Sequence, residues 1–131
     1  MLKYEFYKDK IKSKNPLDAY YKDSMQDREA VFFAYDILSR TKPEASCVHR
    51  WNAARSAMSS VMGAYEKAFW DFMKNKTEEN ARKFSEMEER MIDPVKKARG
   101  AIFSNECQRN WQTSKSKYDK WRNGEEADDG R

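Results

Sequence analysis

Basic and aromatic side chains alternate between residues 109 and 122, in the order Arg109, Trp111, Lys115, Lys117, Tyr118, Lys120, Trp121 and Arg122. Cations neutralise phosphate, and flat rings stack on bases or fill pockets on a protein, so this mixture suits a macromolecular contact. Lys96, Lys97 and Arg99 extend the basic stretch, and residues 94–122 hold eight cations against two acids. Lysine and arginine stems also lie over Trp and Tyr on ordinary helices, so the composition alone does not choose between the uses.

Catalytic equipment is sparse. His49 is the one histidine in the chain, and two positions separate it from Cys47. On a helix that spacing aims the side chains apart, whereas a metal centre needs three or four converging ligands. No metal or cofactor is expected. A Cys–His pair would require Cys107 to approach His49; the simpler expectation is two small thiols buried between helices. With four glycines in all, no Gly-rich loop is present to cradle phosphate. Glu78, Glu79, Glu86, Glu88 and Glu89 interleave with Arg82, Lys83 and Arg90 at ion-pair spacing, which reads as a solvated helix face. An enzyme is not expected.

The elements that position these residues are helices. Eleven β-branched residues (Val, Ile and Thr together) are too few for a sheet, while 7 Met, 7 Tyr, 7 Phe and 4 Trp supply a large-residue core. The fold class is all-α, an antiparallel bundle of three to four long helices. Asn15-Pro16, Thr41 to Pro43 and Asp93-Pro94 each read as a cap followed by proline in the first turn, and Thr77 opens a further helix. One helix then spans Pro16 to about Arg40, with a break conceivable at the capping-box pattern from Ser24. The next spans Pro43 to about Lys74. It carries Val48, Trp51, Arg55, Met58, Met62, Tyr65, Phe69 and Phe72 in an unbroken coiled-coil heptad seam. A second stripe of Cys47, Ala54, Val61 and Ala68 gives it two neighbours, so it is expected at the centre. The helix after Thr77 should kink at Pro94, and a last segment should run to about Arg122. Residues 1–124 form one domain, with 1–14 a helix or an arm, and 125–131 a disordered acidic tail.

Short turns near residues 41 and 75 imply antiparallel neighbours. Equal rise on both helices then sets Trp51 against Gly100, Val48 against Phe103, and Cys47 within about one turn of Cys107. Folding about the earlier turn sets Trp51 by Phe32, Met58 by Met25, and Arg55 by Arg28 and Glu29. Arg55, the polar member of the seam, is expected to pair with Glu29 or Asp93 and so fix the register.

The longest uncharged run, Ser56 to Tyr65, is too short for a membrane span, and MLKYEFYKDKIK has no apolar signal core. Two cysteines make no disulfide framework, which points to a reduced, cytoplasmic (intracellular) setting. Small virus-encoded inhibitors and adaptors share such a composition. The functional expectation is a non-enzymatic protein-binding module or inhibitor using a helix face and residues 109–122. Nucleic-acid binding through residues 94–122 is the alternative. No membrane partner is expected, and the oligomeric state is left open, a homodimer included.

Overall fold

Asn15 and Thr77 begin helices as their side chains predict. The Asn15 Oδ1 accepts from the Leu17 amide at 3.1 Å ahead of Pro16, and the Thr77 Oγ1 accepts from the Asn80 amide at 3.1 Å. Each bond satisfies an amide that the first turn leaves without a carbonyl. A computed structural model describes residues 2–11, 15–43 and 45–104. Among these residues it holds four helices and no strand: α1 (Lys3–Lys10), α2 (Pro16–Arg40), α3 (Val48–Lys74) and α4 (Glu78–Ile102). No described helix is long and apolar enough to cross a membrane.

Helices α3 and α4 form the most extensive pair, α2 packs against both, and α1 closes the bundle against α2 and α4. The heptad seam faces inward: Trp51, Met58, Met62, Tyr65, Phe69 and Phe72 are all buried, with Val48 and Arg55 half-buried. Phe84 of α4 sits among them, its ring centroid 5.2 Å from Tyr65, 5.4 Å from Phe69 and 6.4 Å from Phe72. Next to the turn the α3–α4 pairing follows the expected register, with Asn80 Nδ2 donating to the Asp71 carbonyl at 3.2 Å.

Several expectations are corrected. The third helix starts at Val48, not Pro43, because residues 45–47 form turns. The longer connection shifts α2 against α3, so Tyr35 meets Ser59 at 3.0 Å and Arg28 meets Glu66. Trp51 therefore lies against Leu38, donating from Nε1 to its carbonyl at 3.0 Å, and not by Phe32. Gly100 does not receive Trp51; it is exposed, with open space where a Cβ would project. Helix α3 keeps its expected central place, packed against both α2 and α4 with its seam buried. Pro94 lies buried inside a single continuous α4 and starts no new helix. Helix α2 runs unbroken through Ser24, whose hydroxyl turns inward. Within the first fourteen positions, Lys3–Lys10 form a docked helix where an arm was the alternative.

Candidate functional site

The predicted contact residues Arg109, Trp111, Lys115, Lys117, Tyr118, Lys120, Trp121 and Arg122 lie outside the described residues, as do the Gly124 stop and the 125–131 tail. Lys96, Lys97 and Arg99 are exposed on α4, with the Arg99 guanidinium 5.6 Å from the Phe103 ring centroid. His49 is exposed, and the described residues contain no cluster of three metal-ligating side chains.

Cys47 is buried and disulfide-bonded, while Cys107 lies outside the described residues. The expected pair of free thiols is thereby overturned. Disulfides are rare in the cytosol, so the bond removes the support that two unpaired cysteines lent to a reduced compartment. Arg55 also departs from expectation: its Nη2 donates to Asn52 Oδ1 at 2.7 Å on its own helix, and not to Glu29 or Asp93. Four residues after Trp51, the half-buried position leaves its head near water, where a local amide suffices.

The guanidinium that does organise a surface is Arg28. Its Nη2 donates to both Glu66 oxygens at 2.9 and 3.1 Å, joining α2 to α3. Its Cζ lies 5.4 Å from the Phe32 ring centroid, 5.0 Å from Phe69 and 5.3 Å from Trp70, within cation–π range of each. Trp70 Nε1 donates to Glu66 Oε1 at 3.0 Å, so the indole is held as well. Phe69 is core, whereas Phe32 is 49% and Trp70 45% exposed. Gly63, Glu66 and Trp70 follow one another along the same face of α3, and nothing stands within 4 Å of the missing Gly63 side chain. The result is a two-ring surface clamped on one cation.

A second polar constellation lies where α1, α2 and α4 meet. Tyr20 donates to Glu88 Oε1 at 2.5 Å, Ser24 to Oε2 at 3.5 Å, and Lys3 Nζ stands 3.8 Å from Oε2. Lys3 also pairs with Asp27 and, at 3.2 Å, with Asp23, which accepts from the Tyr7 hydroxyl. Burial pushes the Glu88 carboxyl above the usual glutamate range, with Asp23 reinforcing the rise and Tyr20, Lys3 and Ser24 opposing it. Burial alone would raise Asp23 as well; there the Tyr7 hydroxyl and Lys3 outweigh it and hold the carboxyl low. Burial and the Glu88 charge raise the phenols of Tyr20 and Tyr65, which stay protonated. Glu88 is thus not part of a solvated face, its side chain being 10% exposed. Its neighbours keep closer to expectation: Glu79 pairs with Lys83 at 3.3 Å along the helix, while Arg82 reaches Glu5 of α1 at 2.8 Å.

Beside this constellation a cavity of about 440 Å³ is walled by Val31, Met91 and Val95 and bordered by Lys3 and Glu88, with Tyr65 behind them. Neither the Arg28 surface nor the Glu88 cluster was singled out from sequence. The sequence sets Phe32 beside Trp51 and gives Trp70 no role, and Glu88 differs from Glu86 and Glu89 only in the side of α4 it occupies. The chain matches no protein-family model, no curated protein and no solved structure.

Proposed function

We propose that this chain is a non-enzymatic protein-binding module whose partner docks on the α2–α3 face of Arg28, Phe32 and Trp70. One observation carries the reading: two exposed aromatic rings are already held by a guanidinium that is itself clamped to Glu66. Trp and Arg supply a disproportionate share of protein-binding energy, and a preformed arrangement loses little rotamer entropy on docking. The partner's chemistry follows from charge. Arg28 is neutralised by Glu66, so the face suits an apolar anchor and a hydrogen-bonding rim better than a run of phosphates. The open position over Gly63 admits a partner side chain close to the helix backbone. Residues 109–122 are the second proposed contact, through Trp111 and Trp121 with their neighbouring cations.

The test is affinity capture from the native source, with and without nuclease, comparing the parent with Phe32→Ala/Trp70→Ala and with Trp111→Ala/Trp121→Ala. The expected partner is a protein that survives nuclease and is lost from the first variant while its melting temperature holds. Capture that collapses on nuclease treatment, or that weakens by orders of magnitude with moderate salt, favours Lys96, Lys97, Arg99 and a nucleic acid instead. Thiol trapping of Cys47 in the same material reads the compartment: a free thiol supports a cytoplasmic location, and a bonded one opposes it.

A further inference from the structure

The cavity bounded by α1, α2 and α4 is apolar on its walls and polar at one end. Ala30 and Val31 of α2 face Met91 and Val95 of α4, and Ile92, 52% exposed, borders the opening. Its volume of about 440 Å³ falls within the range of small-molecule sites. Tyr65 of α3 lies behind these walls, 1% exposed, and its hydroxyl is buried with no hydrogen-bond partner. A buried phenol without a partner is costly, and its neighbours on the same ladder of aromatic residues are satisfied or have no polar atom. Glu88 borders the same space. Its two oxygens are engaged by Tyr20, Ser24 and Lys3, with acceptor capacity left over for one more donor.

We infer that this cavity binds a neutral small molecule with a hydrocarbon body and one hydroxyl group, the hydroxyl accepting from Tyr65 and donating to Glu88. The apolar walls select the body. Asp27, Glu88 and Glu89 are set against Lys3 and Lys96, so the lining offers neither sign of head group a concentrated counter-charge that would offset its desolvation. A hydroxyl satisfies both polar groups at once, because it is both donor and acceptor, and a carbonyl satisfies only the phenol. The site shares α2 and α3 with the Arg28 surface, but Phe32 and Trp70 take no part in its lining, so loss of the docking face by Phe32→Ala/Trp70→Ala and loss of the cavity by Ala30→Phe are read separately.

1-Octanol and octanoate, which share a chain and differ in head group, are titrated into the full chain and followed by calorimetry and by the Met91 methyl resonance. Saturable binding of 1-octanol is expected, with octanoate weaker by about tenfold or more. Tyr65→Phe keeps the ring and folds as the parent does; it should weaken 1-octanol by about tenfold, the factor corresponding to one lost hydrogen bond. Ala30→Phe fills the space and should remove binding of both. No saturable binding to the parent overturns the site, whether water or the chain's own residues fill the cavity. Equal affinity for the two probes, or an unchanged affinity in Tyr65→Phe, overturns the hydroxyl assignment.

Discussion

Tyr20 and Glu88, 68 positions apart in the chain, meet at 2.5 Å through phenol and carboxylate, and that bond draws α2 onto α4. Glu88 lies in an acidic run, yet it is turned inward among Tyr20, Ser24 and Lys3.

The first prediction concerns this carboxyl. Because burial raises it, the folded state holds its proton more tightly than the unfolded chain does. Its contribution to stability is complete below the ordinary glutamate value of 4.5 and is lost as pH climbs through the higher folded value. Asp23, held low, has the opposite sign and loses its contribution as pH falls through its folded value. Glu88→Gln should therefore gain stability relative to the parent between about pH 4 and about pH 7. Urea midpoints at both ends check it, and a constant difference would contradict the buried-carboxyl account.

The second concerns the aromatic hub. Phe84 touches rings of Tyr20, Tyr65, Phe69 and Phe72, contributed by two other helices. Phe84→Ala should cost about 3–5 kcal/mol through lost burial and an unfilled cavity. Met62→Asp, which places an unpaired carboxylate in the buried seam, should prevent folding. Denaturant melts of each variant measure the effect.

The third isolates one hydrogen bond. Trp51→Phe removes the Nε1 donor and leaves the buried Leu38 carbonyl without it. A loss of about 1–3 kcal/mol from the orphaned carbonyl is expected, together with a smaller loss from reduced ring volume. Trp51→Phe melting within error of the parent would show that the α2–α3 connection is held elsewhere.

The fourth follows from Cys47. Reduction, or Cys47→Ser, should lower stability by about 2–4 kcal/mol by freeing the unfolded chain. Thermal melts with and without reductant test it, and coincident curves would show that the bond contributes nothing.

Helix type, the α3 seam and the α3–α4 pairing beside the turn were legible because they rest on local spacing and a short turn at Asn75 to Thr77. The α2–α3 register was not, because Pro43 resembles a helix start and the chain delays to Val48. The sequence places Glu88 on a solvated face and Arg28 beside Arg55, both wrongly, for a related reason. A charge on a helix looks the same in sequence whether it meets water or a partner 38 or 64 positions away. The pairing of Lys67 with Asp71, four residues apart, is by contrast visible at once.

The amide of Tyr4 donates to the Ser85 hydroxyl at 3.0 Å, 81 positions downstream, and Glu5 takes Arg82 at the same junction. During synthesis α1 thus emerges well before its α4 partners and completes its docking only when they follow. Until α4 emerges, Tyr4 has no Ser85 to accept its amide proton, and its ring has only the α2 side of its site, with Tyr20 5.6 Å away, to pack on. A pause in translation before Glu78 would leave the α1 helix waiting, and completion of the last described helix is the event that closes the molecule.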